Sequence, residues 1–174
     1  MVPTLETARL VLRGFREADL DAFAAMQADP DVMRFIGADG ATRSRADTWR
    51  TMATIMGAWA LRGAGLWAIE EKRTGRFIGR AGIIDFEGWP EPELGYALAR
   101  PFWGQGFAQE SCRAALDWGF AHLGRERFAS FIRADNTASK RTAAALGAVF
   151  EGMTELLGTP CEHWVHRRVP TALA

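Results

Sequence analysis

The stretch Trp103-Gly104-Gln105-Gly106-Phe107-Ala108 carries most of the information about this fold. A strand-like run, Leu94 to Ala99, lies just upstream, and a helical run, Phe107 to Leu123, begins inside the six residues. A glycine-rich turn that opens a helix lets several backbone N–H groups point at one spot, and the helix dipole adds partial positive charge there. The place suits a phosphate or pyrophosphate. A tight strand-to-helix turn with no ligand is the competing reading, and such turns are common. A dinucleotide fingerprint is not complete: the third glycine position holds Gln109, and the position about 20 residues on, Glu126, falls in a loop. No GxxxxGKS or GxxxxGKT is present, which disfavours a P-loop nucleotidase.

Outward from the turn, the chain reads as one domain. Its 174 residues are enough to bury a core without staples, and the motif-bearing part spans about 7–169. Zero net charge argues against a broad footprint for nucleic acid or for an anionic membrane. Cys112 and Cys161 have no CxxC spacing, and none of His122, His163 and His166 has metal-ligand company, so no metal site is written. Met1-Val2-Pro3-Thr4 does not read as a signal peptide and no apolar run approaches membrane length. Together these features point to a soluble cytoplasmic protein.

Strands are expected over Arg9–Phe15, Leu66–Glu71, Phe77–Phe86, from Glu93 to Ala99, and over Phe128–Arg133, Val149–Leu157 and His163–Val169. Asp19 is placed to cap a short helix that Asp29-Pro30-Asp31 ends, and Ser44 to cap a second that Gly63 and Gly65 stop. That second helix carries Trp49, Met52, Ala53, Met56, Trp59 and Ala60 at helical spacing, a stripe that suits core or a pocket wall. A further helix, Ala138 to Leu146, stops at Gly147. The order predicts an α+β fold: a mixed, mostly antiparallel central sheet of about six to seven strands with helices on both faces.

At this point the chain resembles a known family, the GNAT superfamily of N-acetyltransferases, in the branch that includes the ribosomal-protein N-terminal acetyltransferases. Phe102 to Ala108 with Glu110 looks like that family's coenzyme A loop. Thr7-Ala8-Arg9-Leu10-Val11-Leu12-Arg13, Asp29-Pro30-Asp31-Val32-Met33 with Phe35-Ile36-Gly37, Leu94-Gly95-Tyr96-Ala97-Leu98, and Asp135-Asn136-Thr137-Ala138-Ser139 with Leu146-Gly147 and Glu151-Gly152 match in the same order. The resemblance implies acetyl-coenzyme A as co-substrate. Backbone groups of Tyr96, Ala97 and Leu98 would meet its pantetheine arm and thioester. The N–H groups of Gly104, Gln105, Gly106, Phe107, Ala108 and Gln109 would hold its pyrophosphate. Asn136 would hydrogen-bond the coenzyme, and Ser139 would lie near its sulfur. The chain departs from the family at Trp103, where Arg or Gln is frequent, at Ala143, where a tyrosine often protonates the leaving thiolate, and at Ala148, where an aromatic is usual. Ser139 or water then supplies that proton.

Transfer to an amine needs a neutral nitrogen, so an ammonium must lose a proton. Asp85 to Glu93 holds four carboxylates in nine residues, which suits attraction of a cation and a raised carboxyl pKa. Glu93 is the preferred base because it opens the strand expected to hold the thioester. Asp85 is the alternative and lines the acceptor side with Trp49 and Trp59. Solvated loop acids are the competing reading for Glu87 and Glu91, and Lys140-Arg141 is either a phosphate contact or a solvated helix face. The acceptor is a protein N-terminus or a small-molecule amine, with no nucleic acid or membrane partner and a monomeric or homodimeric chain. The reading from another class is a coenzyme A-binding sensor without catalysis.

Overall fold

A computed structural model of the chain describes residues 1–37 and 39–168, so the last expected strand residue, Val169, lies outside them. Among these are eight strands and five α-helices: β1 Leu5–Glu6, β2 Leu10–Arg13, α1 Leu20–Gln27, α2 Pro30–Met33, α3 Arg45–Arg62, β3 Leu66–Glu71, β4 Arg76–Ile84, β5 Glu93–Leu98, α4 Phe107–His122, β6 Arg127–Ile132, α5 Thr137–Ala145, β7 Val149–Leu156 and β8 Thr159–Arg167. They build one sheet in the order β1-β2-β3-β4-β5-β6-β8-β7. All pairs are antiparallel except β5 with β6. The strand beyond the expected seven is β1, two residues paired with Val11 and Leu12, too short to show an alternation.

Helices cover both faces. Ile83 of β4 meets Gly119 of α4, whereas Arg80, three residues back and therefore on the opposite face, lies over Phe23 of α1. Phe15, Phe23 and Phe77 interlock under α1, and Trp59, Trp67 and Trp118 form a second aromatic cluster. Ser44 caps α3 through Asp47 N–H, and Gly63, at φ 68°, ends it, as expected. Its buried stripe is Thr48, Met52, Ile55 and Trp59 with Ala58. Trp49 and Met56 each follow a buried residue by one step, about 100° around the helix, and so face outward. Asp29-Pro30 both ends α1 and starts α2, with Asp29 Oδ1 accepting from Asp31 N–H at 2.9 Å and Pro30 in the first turn. The β7–β8 turn is only Leu157 and Gly158, at φ 48° and 80°, so β8 begins four residues before His163.

Asp19 does not cap α1. It is buried and receives both Nη atoms of Arg13 at 2.8 Å together with Arg16 N–H. Burial pushes the Asp19 carboxyl up, but the Arg13 guanidinium and the Arg16 N–H outweigh it and hold the group below its ordinary 3.8. The ion pair therefore contributes fully above that pH and is lost as pH falls through the depressed value. Asp19→Ala leaves a buried guanidinium half-paired and is expected to destabilise the fold by about 3–5 kcal/mol, read as a lower urea midpoint.

Candidate active site

The sheet splits where β5 meets β6. Only Glu93 and Ala129 pair across this seam, with Ala129 N–H donating to Pro92 O at 2.9 Å. Side chains then take over from backbone. Ser130 Oγ donates to Leu94 O at 3.1 Å, and Phe131 N–H donates to Glu93 Oε1 at 3.3 Å. On the other side of β5, Ala99 N–H donates to Ile78 O, so the alternation of an antiparallel ladder turns Glu93, Gly95 and Ala97 toward β4. Leu94, Tyr96 and Leu98 turn toward the split. Trp103 Nε1 closes off Leu98 O at 2.8 Å, leaving Tyr96 N–H, Tyr96 C=O and Leu98 N–H without partners among the described residues. Ala97 is the exception among the three backbone positions expected to face a ligand: its N–H and C=O are committed to Arg80 on β4.

The glycine turn follows directly. Gly104 and Gly106 sit at φ 72° and 80°, and a Cβ at Gly104 would meet nothing within 4 Å. Trp103 N–H is bonded to Arg100 O, and Glu110 N–H to Gly106 O. Between them, the six N–H groups of Gly104 to Gln109 have no acceptor among the described residues. They open a 16-residue helix, so the dipole and the free donors coincide. The turn is braced from β2's approach: Arg9 Nη1 donates to Gln105 O at 2.9 Å, and Glu110 accepts from Arg9 Nε, Arg9 N–H and Thr7 Oγ1. The Gln105 side chain folds back onto Pro101 O, and Trp103's indole is spent on β5, so neither side chain is aimed at an anion.

Across the split, Asn136 caps α5. Its Oδ1 accepts from Ser139 N–H at 3.1 Å, and its amide NH2 has no partner among the described residues. Ser139 Oγ lies 3.1 Å from Tyr96 Oη, joining α5 to β5. Tyr96's phenol was not visible as a site group from sequence, because the contact spans 43 positions. Burial, with the nearby Cys112, raises its pKa, so the hydroxyl stays protonated. Lys140 Nζ donates to Ala134 O at 2.6 Å and to Glu162 Oε1 at 3.0 Å. Ala143 and Ala148 are buried against Ile132.

Glu93 lies at the closed end of the split and is 8% exposed. Burial pushes its carboxyl from 4.5 up to about 7, against the pull of Trp89 Nε1 at 2.8 Å, the Phe131 N–H and the more distant Arg80 charge. Asp85 stands half-buried just beyond β4, one position past the residue opposite Glu93. Glu91 is not a free loop acid: it pairs with Arg127 at 3.0 Å, and His163 Nε2 lies 2.8 Å from it but out of line for a hydrogen bond. Glu87 is exposed and pairs with Arg62. Of the two aromatics expected on the acceptor side, Trp49 is at the surface, and Trp59 is core, its Nε1 donating to Leu66 O at 3.1 Å. His166 is buried beside Ser130, and desolvation and the Arg113 charge lower its pKa to about 4, so it is neutral.

The family model described as an acetyltransferase (GNAT) domain matches residues 9–149. The uncharacterized N-acetyltransferase p20 of Bacillus licheniformis is 33% identical over 154 residues, 86% of this chain and 84% of the relative. An acetyltransferase structure from Agrobacterium tumefaciens superposes with a TM-score of 0.86 at 27% identity, over 97% of this chain and 96% of the other. RimL, a ribosomal L7/L12 α-N-protein acetyltransferase solved with coenzyme A, superposes at 0.79 over 95% of this chain and 98% of its own; its 20% identity speaks to fold alone. A family match along most of the chain, on a sheet split beside an open glycine turn, makes this protein a GNAT-family N-acetyltransferase, of a family whose acetyl donor is acetyl-coenzyme A.

Proposed function

We propose that this chain transfers acetyl from acetyl-coenzyme A to a primary amine, with Glu93 as general base. The observation that carries the reading is Glu93 itself: a buried carboxyl poised at about 7, at the closed end of a split whose open side presents unpartnered backbone donors. The six N–H groups of Gly104 to Gln109 hold the pyrophosphate. Tyr96 and Leu98 extend the sheet to the pantetheine amides, much as an edge accepts an added strand, and the Asn136 amide adds a donor. Acetyl-coenzyme A supplies the activated acetyl group. Glu93, directly or through one water, takes the proton from the ammonium, and Asp85 adds negative charge that draws the cation in. The Ser139 and Tyr96 hydroxyls, linked to each other, return a proton to the departing sulfur in place of the tyrosine that Ala143 replaces. A thiol of pKa about 8.5 leaves readily enough for so mild a donor.

Thiol release over a panel of small amines and N-terminal peptides tests this. Turnover above the amine-free rate on at least one class is expected. Coenzyme binding with no turnover on any amine would make the chain a coenzyme A-binding protein instead.

A further inference from the structure

Arg80 is a cation without an acceptor among the described residues. It is mostly buried, yet among the described residues no oxygen accepts a hydrogen bond from it or lies within ion-pair distance. Arg13, also buried, is by contrast paired with Asp19 and Glu70. Arg80's guanidinium carbon lies 5.6 Å from the centroid of the Phe23 ring. A guanidinium resting on an aromatic face keeps its N–H edge free for a planar anion. An unpaired, desolvated charge is unfavourable to keep, and burial draws the Arg80 pKa down from 12.5 to about 10.

Its position gives that charge a use. Arg80 opposes Ala97, Gly82 opposes Gly95, and Ile84 opposes Glu93, which puts Arg80 and Glu93 on one face of the sheet. Four residues of strand separate their levels by about 13 Å, a span that a long arginine and a glutamate shorten from both ends. Each feels the other's charge, but they form no ion pair. Between them stand Gly82 and Gly95, with the Ile84 side chain lying over Gly95. A base and an anion receptor thus share one strip.

We propose that the acceptor is a small amino acid, its amine directed to Glu93 and its carboxylate held by Arg80. This rests on Glu93 acting as the base. A protein N-terminus carries an amide where the amino acid carries its carboxylate, and would leave Arg80 buried and unpaired. A polyamine would set a second cation against it.

Thiol release with amino acids and with their carboxamides is the test. For the wild type, kcat/KM for the carboxylate form is expected to exceed that for the carboxamide by about 10- to 100-fold, the worth of one charge-assisted pair. Arg80→Met brings the two forms within a few fold, mainly by raising KM for the carboxylate form. Its unchanged affinity for acetyl-coenzyme A, by calorimetry, shows the fold intact. Turnover of both forms without preference, or a preference that survives Arg80→Met, overturns the inference alone. Absence of turnover on every amine overturns it together with the acetyltransferase reading.

Discussion

Glu93→Gln is expected to lower kcat by about 10²- to 10⁴-fold and to remove one limb of the pH profile. Glu93 must be ionised to accept a proton, and burial holds its carboxyl at about 7. The wild-type rate therefore rises as pH increases through about 7, where the carboxyl loses its proton. Glutamine is nearly isosteric and keeps an acceptor for Trp89 Nε1, but it does not titrate. In the variant, the residual rate follows only the ionisation of the amine itself. Initial thiol-release rates across the neutral range check this. A full rate with an unaltered profile would move the base to Asp85 or to water.

Gly106→Trp is expected to weaken acetyl-coenzyme A binding by more than about 100-fold, the loss of two or more charge-assisted hydrogen bonds. Two effects act together. Gly106 sits at φ 80°, a conformation that side chains rarely adopt, and its Cβ would meet Arg9 Nη2 at 3.4 Å. The N–H groups of Gly106 and its neighbours would be turned from a common focus, and the indole would stand where an anion approaches. Calorimetric titration reads the change, and circular dichroism shows whether α4 persists. Unaltered affinity in a folded variant would remove the turn from the coenzyme site.

Local chemistry was the legible part of this fold. Gly104 and Gly106 mark left-handed backbone, Ser44 and Gly63 bracket α3, and Asp29-Pro30 marks a helix boundary, because each of these acts within a few residues. What stayed hidden depends on register or on distant partners. Asp19 has the sequence setting of a cap, but a buried arginine on β2 claims its carboxylate. Ala97 shares its strand with Tyr96 and Leu98, and only the pairing with β4 shows that its backbone points the other way. The outward turn of Trp49 and the burial of Trp59 follow from helix phase, which a stripe of six apolar residues leaves undecided. That Arg80 finds no acceptor among the described residues has no local signal at all.

The most direct measurement is amide hydrogen exchange, residue by residue, with and without acetyl-coenzyme A. New protection is expected at the N–H groups of Gly104 to Gln109 and of Tyr96 and Leu98, which lack acceptors among the described residues, with little change at Ala97, already bonded to β4. Protection confined to other segments, or none at saturating ligand, would contradict it.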